Sequence, residues 1–226
     1  MAIILNIETA TKNCSVSLAT DGEMLVLIEL NEGQFSHAEK LHSIILEVIE
    51  KSQKEMADID AIAVSTGPGS YTGLRIGVSA AKGLCFSLDI PLISIPTLSS
   101  LANAIIVGNG DMIIPLLDAR RMEVYSAVFN FKKEQIRETQ AQIIDKNSYS
   151  EYLEKGNVYF LGDGALKCKE NINHDNAIFL EGYFPSAKEM VDLSYQKFVN
   201  NDFEDVAYFE PYYLKDFVAI KSKKLF

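Results

Sequence analysis

The stretch AIAVSTGPGSYTGLRIGVSAAKG, Ala61 to Gly83, constrains the fold of this chain more than any other. Ala61-Ile62-Ala63-Val64 reads as a short buried strand. Gly67, Pro68 and Gly69 then break the backbone. Ser70 is a good N-cap, and Tyr71 to Leu88 reads as a helix with a wide apolar face. Such a turn exposes backbone N–H groups at a helix N-terminus, where an anion is favoured. The stretch nevertheless lacks the Gly-x-x-x-x-Gly-Lys-Ser/Thr phosphate loop. It also misses the dinucleotide pattern, because Gly73 follows Gly67 and Gly69 one residue too late. Gly73, Gly77 and Ala81 recur every four residues, with Ala80 beside them, so one helix face is smooth. A glycine inside a helix costs roughly 0.5–1 kcal/mol relative to alanine. Two of them predict close approach by another backbone, either this protein's own sheet or a second subunit.

A chain of 226 residues can bury a real core in one large domain or two small ones, and its 48% hydrophobic content is that of a globular protein. No apolar run reaches the roughly 18 residues of a membrane span. Met1-Ala2-Ile3-Ile4-Leu5 has no basic region or cleavage site and reads as a first strand, not a signal peptide. Cys14, Cys85 and Cys168 lie far apart with no C-x-x-C. That argues against a disulfide framework or a zinc site and for a reducing cytosol. The net charge of −10 repels nucleic acid. The lysines at 221, 223 and 224 read as a solvated tail, so the chain is a poor candidate for gripping nucleic acid by itself.

Taken in order, Ile3 to Ile7 is a strand, followed by the polar turn Thr9 to Asn13. Val16, Leu18 and then Met24 to Leu30 form two strands around a turn at Asp21-Gly22. Ser36 and Glu39 form a capping box for a helix to about Ser52, with Leu41, Ile44, Ile45, Val48 and Ile49 on its apolar face. His37 and His42 lie on it five residues apart, about 140° around the axis, so they do not share one face and read as a surface pair. Ile90 to Ile95 is a strand, and Thr97 caps a short helix to about Asn103. A polar, glycine-rich segment, Val107 to Asp111, then marks a boundary. Beyond it the pattern restarts. Met112 to Leu117 is a strand, Asp118 to Arg121 a polar turn, and Met122 to Phe131 a strand turned by Lys132-Lys133-Glu134. The repeated order of strand, turn and hairpin reads as a duplication. A short helix over Tyr149 to Lys155, a strand Val158 to Leu161, a turn Gly162-Asp163-Gly164 and a helix Ser186 to Asn200 follow. Asp118 reads as a turn-capping aspartate and Gly162-Asp163-Gly164 as an ordinary turn. Nothing in the sequence has the ligand spacing of a metal site or the pattern of a serine or cysteine nucleophile.

Ser65 to Gly77 (STGPGSYTGLRIG), with Ala80-Ala81-Lys82-Gly83-Leu84 after it, closely resembles the signature of the bacterial TsaB family, also called YeaZ. Pro211-Tyr212-Tyr213-Leu214-Lys215 resembles that family's ending. The resemblance implies the actin-like ATPase (ASKHA) fold, a duplicated ribonuclease H-like α/β architecture in two lobes with the second reduced. Residues 1–103 would form the first lobe, with a C-terminal strap of about 203–226 lying back on it, and 104–202 the second. It further implies a cytoplasmic, catalytically silent relative of TsaD, which transfers threonylcarbamoyl to N6 of adenosine 37 of tRNA. Such a subunit binds TsaD, is joined by TsaE, self-associates as a homodimer when TsaD is absent, and meets tRNA only through the complex. The docking surface is then expected at Tyr71, Gly73, Leu74, Ile76, Gly77, Ala80, Ala81 and Leu84.

Actin-like enzymes carry an aspartate and glycines in the first turn, where Asn6-Ile7-Glu8-Thr9-Ala10-Thr11 has neither. TsaD-like enzymes hold metal on two histidines four apart, where this chain has five. The resemblance therefore implies no catalytic residue, no metal and no resident cofactor, with at most weak ATP or ADP binding in the assembled complex. The alternative is an ATP-binding or ATP-splitting enzyme whose cleft is lined by Glu8, Thr9, Asp118, Gly162, Asp163 and Gly164.

Overall fold

Strand β1 (Ile3–Glu8) is buried along its whole length. Alternation sends Ile3, Leu5 and Ile7 into one core and Ile4 into another, so β1 must be covered on both faces. The structure, a computed structural model, describes residues 1–31 and 37–215. The expected cap Ser36, the lysines at 221, 223 and 224, and Phe217 in the strap lie outside the described residues. β2 (Cys14–Thr20) and β3 (Glu23–Leu30) fold back antiparallel through Asp21 and Gly22, both at positive φ. β4 (Ala61–Gly67) adds parallel to β1 on its other side, and β5 (Leu92–Pro96) adds parallel to β4. The sheet order is therefore β3-β2-β1-β4-β5.

Helix α1 (His37–Ser52) buries Leu41, Ile44, Ile45, Val48 and Ile49, the face its periodicity predicts. Helix α2 (Tyr71–Leu88) has the predicted bounds, and Ser70 caps it by accepting from the Gly73 N–H at 3.2 Å. Asp89 ends it in the left-handed conformation. Both helices cover the Ile3–Leu5–Ile7 face. Helix α3 (Thr97–Asn103) packs against strands of both halves of the chain. Thr97 does not cap it: Pro96 takes the N-cap position, and the Thr97 hydroxyl is buried without a hydrogen-bond partner.

The second half repeats the first. β6 (Met112–Asp118), β7 (Glu123–Asn130), β8 (Gln135–Ile143), β9 (Val158–Leu161) and β10 (Ala177–Phe179) form a sheet in the order β10-β9-β6-β7-β8. Counted from the start of each half, that is the same connectivity as the first sheet. Reduction lies in the helices. The four-residue α4 (Ser150–Leu153) and α5 (Ala165–Cys168) stand where the first half has helices of 16 and 18 residues. Lys133, at the tip of the β7–β8 hairpin, donates to the carbonyls of Ala102, at 2.8 Å, and Ile105, so its ammonium caps the end of α3.

The last helix differs from its expectation in length and in place. Its regular part is α6 (Val191–Val199), because the residues before it are tied to β2: Ser15 Oγ accepts from the Ala187 N–H, and Ser17 Oγ donates to the Ala187 carbonyl, both at 2.8 Å. Ala187, Met190 and α6 cover the second face of the first sheet, so a lobe drawn as 104–202 includes a helix that packs on the other lobe. The strap also lies on the first sheet. Glu204 donates its N–H to the Leu92 carbonyl at 2.8 Å, and the Tyr212 N–H donates to Thr66 at 2.8 Å. Phe209 packs on the core, whereas Tyr208 stays 83% exposed.

The smooth stripe of α2 faces inward, which corrects one expectation. A Cβ on Gly73 would run into the Thr9 carbonyl, and one on Gly77 into the Thr9 hydroxyl. Ala81 and Leu74 are buried as well. The backbone that comes close is the first turn of this chain, not a second subunit. Gly77→Ala should therefore destabilise the protein by about 1–3 kcal/mol, the cost of overpacking against a fixed turn. Gly83→Ala, on the open face with nothing within 4 Å of the new methyl, should stabilise it by roughly 0.5–1 kcal/mol. Urea unfolding of both variants checks the pair. Equal effects would contradict the inward orientation.

Candidate functional site

The turn before α2 is packed closely by the protein itself. Ser70 donates its N–H to the Ala10 carbonyl at 2.6 Å, and a Cβ on Gly69 would lie 2.5 Å from that same carbonyl oxygen. Gly67 sits at φ +113°, with the Tyr212 carbonyl 2.7 Å from where a Cβ would be. The glycines here admit the first turn and the strap, and the Ser70 and Gly73 N–H groups are engaged within the chain.

Glu8 and Thr9, at the carboxyl end of β1, are fully buried. Glu8 Oε1 accepts from the Ala10 N–H at 2.6 Å and from Ser65 Oγ at 2.7 Å. Its Oε2 is buried without a partner. Burial pushes the Glu8 carboxyl up to about 7, against the opposing pull of these hydrogen bonds. Glu189 and Cys14 lie within electrostatic reach. His37 is buried, not on the surface as expected, with Nε2 2.6 Å from the Thr11 carbonyl and its pKa lowered by burial. His42 is exposed on another face of α1, so the two do not converge. Among the described residues no group of three or more His, Cys, Asp or Glu side chains could hold a metal ion. All three cysteines are buried and free, with thiols pushed up by desolvation to about 11 (Cys14), 12 (Cys85) and 11 (Cys168). They are poor nucleophiles at neutral pH.

In the second half, Asp118 ends β6 and accepts from the Arg120 N–H at 2.8 Å, the turn-capping role expected of it. Asp163 Oδ1 accepts from the Asp118 N–H at 2.9 Å, which joins the two turns. Gly162 and Gly164 pack against the backbone of Leu116 to Asp118 with no room for a side chain. Lys167 Nζ donates to Asp118, to the Arg121 carbonyl at 2.8 Å and to the Glu123 carbonyl at 2.6 Å. The six residues of the ATP-site alternative thus lie in three turns: that of Glu8 and Thr9, held by Ser65 and Ala10, and those of Asp118 and Gly162 to Gly164, which are joined to each other.

An open surface lies between α1 and the outward face of α2. A groove of about 670 Å³ runs there, lined by Ala38 and His42 from one helix and by Tyr71, Arg75, Ile76, Ser79, Ala80, Gly83 and Leu84 from the other. Phe86, next along α2, is 85% exposed, and Leu46 on α1 is 64% exposed. Of the residues expected at a docking surface, Tyr71, Ile76, Ala80 and Leu84 line this groove. Gly73, Leu74, Gly77 and Ala81 do not. Arg75 fixes its rim. The guanidinium lies 4.2 Å from the Tyr71 ring centroid and donates through Nε to Tyr213 Oη at 3.2 Å, tying the strap to the groove edge. Sequence reasoning missed Ala38 and His42 on α1, and Thr72, Arg75, Ser79 and Gly83 on α2, because it followed the small-residue stripe of α2. Their signal was the side of each helix opposite its buried apolar face.

A family model described as TsaD, tRNA N6-adenosine threonylcarbamoyltransferase, matches residues 32–221. The tRNA threonylcarbamoyladenosine biosynthesis protein TsaB of Escherichia coli is 29% identical over 97% of both chains, and that of Haemophilus influenzae is 27% identical over 97% of this chain and 96% of its own. The chain belongs to the TsaD family, as a TsaB (YeaZ) member. A solved YeaZ structure from Pseudomonas aeruginosa superposes with a TM-score of 0.77 at 21% identity, over 95% of this chain and all of the other. A further structure, of a protein with similarity to YeaZ, reaches 0.82 at the same identity and coverage. These two fix the fold. Membership of TsaB places the chain in threonylcarbamoyladenosine biosynthesis.

Because the Glu8 carboxyl titrates near 7 in the folded protein and near 4.5 otherwise, the folded state holds the extra proton between those values. Stability from this residue is therefore full below about pH 4.5 and is lost as the pH rises through 7, by roughly 3 kcal/mol in all. Glu8→Gln keeps the accepting Oε1 and removes the titration. It should stabilise the protein at pH 8 and change little at pH 4.5, read by denaturant unfolding across that range. A wild-type-like pH dependence in the variant would contradict the assignment.

Proposed function

We propose that this protein is a non-catalytic supporting subunit of the tRNA threonylcarbamoyladenosine complex, docking TsaD on the groove between α1 and α2. The observation that carries the reading is the groove itself: an open apolar surface on a chain whose other small-residue face is already used internally. Ile76, Ala80 and Leu84 supply its apolar floor, and Arg75 over the Tyr71 ring a hydrogen-bonding edge. The closed turns at Glu8 and Asp118 and the raised thiols support a role in binding over one in chemistry. An ATP-splitting reading finds less support, since Glu8 is sealed from solvent. TsaE joins the assembly, nucleotide is at most weakly held there, and tRNA is met through the complex. Without TsaD, the same face pairs two copies of this chain. The protein works in the cytoplasm. No helix among the described residues is long and apolar enough to cross a membrane.

Ser79 and Gly83 line the groove and are exposed, so arginine at either place leaves the core intact. Ser79→Arg and Gly83→Arg should each weaken binding to TsaD of the same organism by about a hundredfold, the scale of a blocked interface centre, with neither variant less stable than wild type. Calorimetric titration checks this. Wild-type affinity in both variants would move the docking surface elsewhere.

A further inference from the structure

In open α/β sheets, ligands gather at the carboxyl ends of the central strands. In the second sheet that place belongs to Asp118, at the end of β6, and Asp163, just past its parallel neighbour β9. The two turns form one body, through the Asp118 N–H on Asp163 and the Gly164 N–H donating to Leu116 at 2.9 Å. An actin-like fold implies a magnesium–nucleotide between its lobes. The residues here do not fit one at Asp118, because a cation of the protein's own is already seated there.

Lys167 is that cation. It projects from α5, three residues past Gly164, and its three N–H donors meet three oxygens: one Asp118 carboxylate oxygen, the Arg121 carbonyl and the Glu123 carbonyl. The Lys167 side chain is 23% exposed and that of Asp118 47%. Asp163 lies within electrostatic reach of both. A carboxylate, two backbone carbonyls and a second nearby carboxylate form the oxygen set that a hard divalent cation takes. The Lys167 side chain thus supplies a positive charge to Asp118 without a metal. Asp118 and Arg121 both belong to the tight β6–β7 turn, where Arg120 and Arg121 sit at φ +71° and +51°. The same lysine therefore also ties that turn together.

We infer that Lys167 is a resident counter-ion that occupies the cation position of the second sheet, so that the protein takes no divalent metal, and no metal-bound nucleotide, at Asp118. The first sheet reaches the same end by another route, with Glu8 at the matching strand end held by Ser65 and Ala10. This inference stands apart from the docking reading and survives or fails independently of it.

The test is titration of the full chain with Mn²⁺, read by electron paramagnetic resonance, alongside the thermal midpoint with and without Mg²⁺. Wild type should show no Mn²⁺ site that Asp118→Asn removes, and Mg²⁺ should leave its midpoint unmoved. Lys167→Met should gain one Mn²⁺ site at least about tenfold tighter than any in wild type, with a midpoint that rises with Mg²⁺. The double variant K167M/D118N should lose it again. Mn²⁺ binding by wild type that Asp118→Asn abolishes would overturn the inference, as would a folded Lys167→Met variant that gains nothing. Lys167→Gln serves as the second variant if the methionine form does not fold, and the comparison of wild type with Asp118→Asn decides independently of both.

Discussion

The contact on which the structure depends is that of Thr9 with the buried face of α2. Its carbonyl and hydroxyl lie where Gly73 and Gly77 would carry side chains. That approach brings the first turn against the helix, lets Ala10 accept from Ser70 at the helix start, and seats His37 against Thr11. Once α2 is fixed in this way, its other side has one orientation left. Tyr71, Arg75, Ile76, Ser79, Gly83 and Leu84 must face outward beside α1, and the groove between the helices is a consequence. The glycine helix thus serves the surface indirectly, by bringing the helix close enough to its own sheet that a clean outer face remains.

The same packing closes the first turn over Glu8. Duplication gives this protein two matching strand ends, and each buries or engages a carboxyl group by different physics. Glu8 is sealed in the first sheet, where desolvation favours its protonated form and Ser65 with Ala10 holds the remaining polarity. Asp118 is half-exposed in the second, where full desolvation never arises and an ammonium supplies the balance. A carboxyl group in a dry site can shed its charge, whereas one in contact with water is solvated and free to take an ionic partner as well. The difference in burial follows from the reduced helices of the second half, which leave its strand ends less covered.

Much of the chain could be read directly. The α2 boundaries, the apolar face of α1, the strand Val158–Leu161 and the repeat of strand, turn and hairpin follow from periodicity and turn residues, because each is decided within a few positions. The capping role of Asp118 was legible for the same reason. The short elements α5 and β10 were not, since four and three residues carry no period. The last helix misled in another way. Ala187 and Met190 have helical spacing with its apolar residues, yet Ser15 and Ser17, about 170 positions away, bind Ala187 and delay the regular turns.

By itself the sequence determined the longer strands and helices, the duplication and the family, all properties of local pattern or of a long contiguous signature. It also determined that some backbone must lie against Gly73 and Gly77, because a helix tolerates such glycines at a cost that only close packing offsets. Which backbone it is, which side of α2 faces solvent, and that Lys167 answers Asp118 were decided by tertiary structure alone. Those facts depend on pairs of residues 49 to 68 positions apart in the chain. No local propensity links such pairs, and their contact exists only once the sheets have assembled.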